Sequence, residues 1–234
     1  MAEFTLLNLL NYWWCFLLTA VIAYLLGSIN PAVIITKIWT KGELDIRTVG
    51  SGNAGFTNVL RAVGKVPAII TLVCDALKCV AAVLIGGMFF SLITFSNVNQ
   101  TEIINIGKYL AGIFCILGHS YPLYFHFKGG KGVAAAAALM LTEDWRVFLV
   151  ILGTFLIVFI ISKIISLASV TCAALYAPYT FLITFFFDYD GTNLWYIIMS
   201  TAAALLIGIF VILKHKENIK RLLRGEEKKI KAKK

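Results

Sequence analysis

The chain has 234 residues, of which 60% are hydrophobic and 14% charged, against about 25% charged in a typical soluble domain. That balance excludes an ordinary soluble globular protein and predicts an all-α integral membrane protein, with about seven transmembrane helices in one bundle and polar loops on the cytoplasmic side. A net charge of +9 would suit nucleic acid, but the basic residues are sorted by membrane side rather than interleaved with stacking aromatics, so anionic membrane lipids and an anionic substrate are the expected partners and nucleic acid is not.

The first apolar run, Tyr12 to Trp39, is long enough for a tilted span and opens with Tyr12, Trp13 and Trp14, the residue types favoured at a membrane interface. No small-residue cleavage pattern follows it, so it is expected to stay as a helix. Within it, Pro31 should kink or loosen the helix and free a carbonyl, with Ser28 and Asn30 able to satisfy backbone groups. A polar segment, Lys41 to Lys65, precedes a second span from about Val66 to Phe95, in which Asp75 and Lys78 are three apart on one helical face and able to neutralise each other. A structural ion pair and a substrate contact are both open readings of that pair.

A third span, about Ile103 to Leu117, leads into Gly118–Val133, GHSYPLYFHFKGGKGV. Val133 to Leu141 is short for a crossing and reads as a helix whose amino end points at the glycine loop, adding the positive end of its dipole there. Further spans follow at about Trp145 to Ile161, Ile164 to Phe187 and Leu194 to Leu213, with the joint at Ser162–Lys163 open to being one broken helix. No repeat of fixed period and no Pro/Ser/Gly-rich linker divides the chain. Residues 1–213 therefore read as one bundle and residues 214–234 as a basic cytoplasmic tail.

Charge sorting tests that count. With the amino terminus outside, the cytoplasmic segments hold Lys37, Lys41, Arg47, Arg61, Lys65, Lys128, Lys131, Lys163 and the ten basic residues from Lys214 onward, all but three of the 21, as the positive-inside rule requires. The outer turns hold Glu102, Glu143, Asp144, Asp188 and Asp190. The five cysteines, Cys15, Cys74, Cys79, Cys115 and Cys172, lie in apolar runs with no metal-ligand spacing and read as free core thiols.

Three polar segments thus fall on one side: Asp45 to Arg61, Gly118 to Lys131 and His215 to Glu227. Their residues suit a phosphate, with Arg61 as a fork, Lys131 as a point charge, Ser51, Asn53 and Thr57 as neutral donors, and the amides of Gly129, Gly130 and Gly132 as a possible nest. A glycine-rich turn whose lysine merely marks the cytoplasmic face is the plainer alternative. His215 and Asn218 are three apart and share a helical face, while Lys228 to Lys234 read as a solvated tail held by anionic lipid.

Four segments in order, GSGNAGFTNVLR (Gly50 to Arg61), DALK (Asp75 to Lys78), GHSYPLYFHFKGGKGV and HKENIKRLLRGEE (His215 to Glu227), cover nearly the whole chain. In them the chain resembles the bacterial membrane acyl-phosphate:glycerol-3-phosphate acyltransferases. The resemblance implies a seven-helix protein of the bacterial cell membrane with a cytoplasmic active site. It also implies transfer of a fatty acyl group from a long-chain acyl phosphate to the sn-1 hydroxyl of glycerol-3-phosphate, giving lysophosphatidic acid and phosphate. Carried over by position, Ser51 and Arg61 belong to the first motif, Lys131 with its glycines to the second, and His215 and Asn218 to the third. Substrate contacts are expected at Asn53, Thr57, His119, Gly129, Gly130 and Gly132. The chain departs from the family pattern where GSINPA replaces GSIPxG and where Cys79 replaces a glycine after the DxLK lysine.

An acyl phosphate is a mixed anhydride with a good leaving group, so positioning should dominate and no metal or other cofactor is expected. Glycerol-3-phosphate is assigned to Arg61, Ser51 and His215 and the acyl-phosphate head to Lys131 and the glycine amides, with the exchanged assignment open. Ser51 fits a hydrogen-bond role better than that of a nucleophile, because no base is tied to it by position. His215 and a substrate phosphate are both open as proton acceptors. A transporter of phosphorylated solutes would be expected to carry an internal repeat. A CoA-dependent acyltransferase would be expected to have Asp five residues after His, where Tyr124, Lys131 and Lys220 stand.

Overall fold

The computed structural model describes residues 3, 5–188 and 192–230; the expected outer position of Asp190 and the last four residues of the basic tail lie outside them. The described residues form α1 (Leu6–Leu10), α2 (Trp13–Ser28), α3 (Pro31–Trp39), α4 (Phe56–Ala62), α5 (Lys65–Ser91), α6 (Gln100–Ser120), a 3-10 turn at Leu123–Phe125, α7 (Val133–Glu143), α8 (Trp145–Ser162), α9 (Ile165–Asp188), α10 (Leu194–Lys214) and α11 (Lys216–Leu223). They divide into two compact units, Met1–Glu143 and Asp144–Lys234. The division falls after α7, and the chain beyond α10 folds back within the second unit, where the Ile230 amide donates to the Lys163 carbonyl (2.9 Å).

Among the described residues, six helical segments are long and apolar enough to cross a membrane: Trp13–Trp39, Lys65–Ser91, Gln100–Phe125, Trp145–Ser162, Ile165–Asp188 and Leu194–Lys214. The remaining expected crossing is α7, whose 11 residues extend only about 16 Å at 1.5 Å per residue. Exposed apolar side chains along these helices, such as Leu84, Ile157, Ile161 and Phe186, are what a lipid-facing surface requires.

In the first unit, α6 packs against α2, α5 and α7. Its backbone touches that of α2, since a Cβ on Gly27 would collide with the Cys115 carbonyl and one on Gly118 with the Tyr24 carbonyl. Gly86 of α5 and Gly107 of α6 meet similarly, each added Cβ lying 2.6 Å from the other's carbonyl oxygen. Small residues at such crossings let backbones approach, which in lipid replaces the hydrophobic drive available in water. Helix α7 runs back along α6: Gly132 lies against Ile116, Leu139 against Gly112, and Glu143 is 3.9 Å from Lys108.

The first span is divided at Ile29–Asn30, both extended, because Pro31 at the start of α3 lacks an N–H and disfavours helix in the residue before it. Asn30 Oδ1 accepts the Val33 amide (3.3 Å), capping α3 as expected. Ser28 serves a different backbone group, its Oγ accepting the Leu123 amide (3.2 Å). Tyr12 meets Phe95 at one end of this unit (ring centroids 6.0 Å apart). At the other end the Tyr24 hydroxyl donates to the Tyr121 carbonyl (2.8 Å), so the first two polar motifs share one end.

Glu102 in the first turn of α6 and Glu143 at the end of α7 are buried, Glu102 at 4% exposure and the Glu143 side chain at 2%. Asn99 accepts the Thr101 amide (2.9 Å), so α6 has already begun before Glu102. In the second unit, Asp144 caps α8 and shares the Arg146 guanidinium with Asp188, at 2.7 and 2.6 Å. The Ser162–Lys163 joint is a true break, with Lys163 left-handed (φ 61°) and Ser162 Oγ accepting the Ile164 amide.

The α2–α6 crossing constrains Gly27, whereas Gly153 of α8 lies at no such contact. Gly27→Ala should lower stability by about 1–3 kcal/mol through overpacking. Gly153→Ala, whose Cβ meets nothing within 4 Å, should hold or raise it, since alanine favours helix by about 0.5–1 kcal/mol. Thermal unfolding of the two purified variants in detergent decides this; equal melting temperatures would contradict the α2–α6 contact.

Candidate active site

The first motif is built around Asn58. From the first turn of α4 its Oδ1 accepts the Ser51 amide (3.1 Å), while its Nδ2 donates to the carbonyls of Ile46 (2.9 Å) and Val49 (3.0 Å). One buried amide therefore gathers residues 46–51 into a loop, and Gly50 is left-handed (φ 62°) where a Cβ would strike Asn58 Oδ1. Under the loop, Ala32, Val33, Ile46, Ala54, Val59 and Ala68 form a small apolar core. Ser51 and Arg61 are exposed, and Asn53 and Thr57 partly buried, on this support.

The second motif leaves α6 at Ser120 and passes through two successive left-handed residues, His126 (φ 55°) and Phe127 (φ 58°). Non-glycine residues in that region are uncommon and cluster at functional segments. Arg47 fastens this stretch to the first motif: Nη1 donates to the Phe125 carbonyl (3.0 Å), and the guanidinium lies 5.8 Å from the Phe125 ring centroid. Its other bonds go to Asp45, at 2.6 to 3.2 Å. The hydrogen bonds from Arg47 hold the Asp45 carboxyl down to about 2.

The glycines have distinct reasons. Gly132 needs its positive φ (80°), whereas Gly129 and Gly130 are required by contact. A Cβ on Gly129 would strike the His119 carbonyl; one on Gly130 would strike His119 Nε2 and lie 2.7 Å from the Ala54 carbonyl oxygen. The two motifs therefore touch at Gly130 and Ala54. The Gly130 amide donates to the His119 carbonyl (3.1 Å), so it is tied into the fold and the expected nest of amides is correspondingly narrower. Lys131 is partly buried just ahead of the amino end of α7, the end that favours anions.

His119 does not face outward. It is 4% exposed, and its Nδ1 lies 3.0 Å from both Asp75 Oδ1 and Lys78 Nζ. Lys78 Nζ bonds Asp75 Oδ1 (2.9 Å) and donates to the Ile29 carbonyl (2.6 Å), the group freed by the helix break.

His215 and Asn218 belong to the second unit. Helix α10 ends at Lys214, so His215 sits at a joint rather than within one continuing helix; it is buried, with Nδ1 2.7 Å from the Val211 carbonyl. Asn218 Nδ2 donates to Glu227 Oε1 (2.7 Å), which also accepts the Ser166 hydroxyl (2.7 Å), and Arg221 Nε donates to Glu227 Oε2 (2.6 Å). Burial raises the Glu227 carboxyl, but the hydrogen bonds from Ser166, Arg221 and Asn218 outweigh it and leave the group below its ordinary value. Asn58, Arg47 and Glu227 were missed as site-builders. Only Asn58 carried a signal, an amide just after a glycine-rich turn. Among the described residues no three His, Cys, Asp or Glu side chains are grouped to hold a metal.

Apolar helices of membrane-crossing length and two interlocked glycine-bearing loops at a basic end define a multi-pass helical membrane protein with a phosphate-compatible face. The profile of the family described as glycerol-3-phosphate acyltransferase matches residues 17–225. The chain is 38% identical over 218 residues to the glycerol-3-phosphate acyltransferase of Idiomarina loihiensis, covering 92% of this chain and 96% of that one. It is 37% identical over 213 residues to that of Thermoanaerobacter pseudethanolicus, covering 91% and 94%. Crystal structures of PlsY (YgiH), an integral membrane glycerol 3-phosphate acyltransferase, in its glycerol 3-phosphate and lysophosphatidic acid forms each superpose with a TM-score of 0.72 at 34% identity. They cover 92% of this chain and 96% and 95% of theirs. The chain belongs to the glycerol-3-phosphate acyltransferase family.

Proposed function

We propose that the protein transfers a fatty acyl group from a long-chain acyl phosphate to the sn-1 hydroxyl of glycerol-3-phosphate, giving lysophosphatidic acid and phosphate. The hydroxyl oxygen bonds to the acyl carbon, the bond from that carbon to the phosphate oxygen breaks, and the hydroxyl proton passes to a phosphate oxygen or to His215. The observation that carries this reading is the contact of the Ser51-bearing and Lys131-bearing loops at Gly130 and Ala54, within a chain matched to the family over residues 17–225.

Two phosphate-bearing molecules repel each other, and Arg61, Lys131 and the amino end of α7 supply the positive potential that offsets this. Ser51 on the Asn58-gathered loop, Asn53 after it and Thr57 on α4 orient by hydrogen bonds, and the third-motif roles fall to His215 and Asn218. The leaving group is already good, so orientation and charge stabilisation supply the rate. Gly129 and Gly132 flank Lys131 as further backbone contacts. The site faces the cytoplasm, with the amino terminus outside and the carboxyl terminus inside; the run of α7 from Lys131 to the buried Glu143, away from the motif end, supports that alternation.

Purified protein given radiolabelled glycerol-3-phosphate should form lysophosphatidic acid with palmitoyl phosphate and not with palmitoyl-CoA; turnover with palmitoyl-CoA alone would overturn the choice of donor. For topology, a cysteine placed at position 131 in a cysteine-depleted variant should react with an impermeant maleimide only after the cytoplasmic face is opened. Labelling from the outer face of intact cells would contradict a cytoplasmic site.

A further inference from the structure

Asp75, Lys78 and His119 are each more than nine-tenths buried and lie on two helices, α5 and α6. Burying ions costs several kcal/mol each unless geometry and hydrogen bonds compensate, so a buried charged cluster with defined contacts calls for a physical reason. The contacts of this cluster lead to two places. Lys78 closes the helix break through the Ile29 carbonyl. His119 supports the glycine loop twice: its carbonyl accepts the Gly130 amide, and its Nε2 edge fills the space where a Gly130 Cβ would be.

Nδ1 of the ring is held from two sides, 3.0 Å from Asp75 Oδ1 and 3.0 Å from Lys78 Nζ, and Lys78 also donates to the Ile29 carbonyl. A ring held by Nδ1 has a fixed Nε2 edge, as second-shell carboxylates fix histidines elsewhere.

We propose that Asp75 and Lys78 act through His119 as positioning residues, setting the level of the Gly129–Gly132 loop against Ala54 and hence the place of Lys131. This rests on the acyl-transfer reading above and deepens it. His119 supports the loop from beneath and holds no substrate atom.

The test is a double-mutant cycle on the full chain in detergent, with kcat and KM measured for glycerol-3-phosphate and palmitoyl phosphate. Asp75→Asn and His119→Gln should each lower kcat/KM by about tenfold or more, chiefly through KM for one phosphate substrate. The double variant should lose no more than either, because coupled groups are non-additive. His119→Asn, whose amide nitrogen falls near the Nδ1 position, should recover part of the loss. Additive losses, or His119→Gln near wild type because its amide replaces Nε2, would overturn the proposal in favour of direct substrate contact. Reduced active protein with unchanged KM would overturn it in favour of a purely structural cluster. Wild-type chain that turns over no acyl phosphate would instead sink the functional reading itself. If the variants do not fold, nitrogen-15 NMR of wild-type protein serves, with the His119 signals assigned through His126→Gln and His215→Gln: the His119 ring nitrogens should shift when glycerol-3-phosphate or palmitoyl phosphate is added, and His119 signals indifferent to both would refute the scheme.

Discussion

A helix interrupted within a membrane leaves backbone groups that lipid cannot satisfy, and the polar end of the first unit is arranged around one such interruption. The Ile29 carbonyl, freed ahead of Pro31, takes the Lys78 ammonium. A buried ammonium needs a counter-charge, which is Asp75 three residues earlier on the same face. His119 Nδ1 closes the group, 3.0 Å from both Asp75 Oδ1 and Lys78 Nζ. From His119 the connection passes to Gly130, and from Gly130 to Ala54 beneath the first motif. The break, the ion pair and the glycine loop therefore form one contiguous polar structure, closed in by the glycine crossings of α2, α5 and α6.

Much of the helix pattern was legible from residue chemistry. Runs of apolar residues set α2, α5, α6 and α8 to α10 to within a few positions, and Pro31 marked the interruption correctly. The Asp75–Lys78 spacing announced a neutralised pair, and the ambiguous Ser162–Lys163 joint resolves as a break because Lys163 takes a left-handed turn. What sequence could not supply was partnership across the chain. Nothing about Glu227 distinguishes it from Glu226 beside it, yet only Glu227 gathers Ser166, Asn218 and Arg221. The burial of Glu102 and Glu143 was likewise not legible, because it comes from the cap at Asn99 and from the path of α7 beside Lys108. The glycines were read as a nest of amides for phosphate, whereas Gly129 and Gly130 serve close approach and the Gly130 amide bonds the His119 carbonyl.

The departures from the family pattern have local explanations. In GSINPA the proline stands one residue later, and Asn30 in the vacated position caps α3 through Val33. Ala32 is fully buried where the family carries glycine, within the apolar core under the first motif. Cys79 lies fully buried against Cys115 between α5 and α6, filling space at the crossing without adding an unsatisfied strong polar group. The chemistry asked of the site is modest, since an acyl phosphate is already activated. A rigid, positively charged support for two phosphate-bearing molecules is therefore the chief structural requirement.

The central claim is that this polar end binds a phosphate through Arg61 and Lys131, and calorimetric titration of the purified chain with glycerol-3-phosphate measures it most directly. Wild-type protein should bind, with affinity falling as ionic strength rises. Arg61→Lys should weaken binding by about tenfold or more, the loss expected for a charge-assisted hydrogen bond, and Lys131→Ala should weaken it less, through lost positive potential alone. Wild-type affinity in an Arg61→Ala/Lys131→Ala double variant, or binding indifferent to salt, would contradict it.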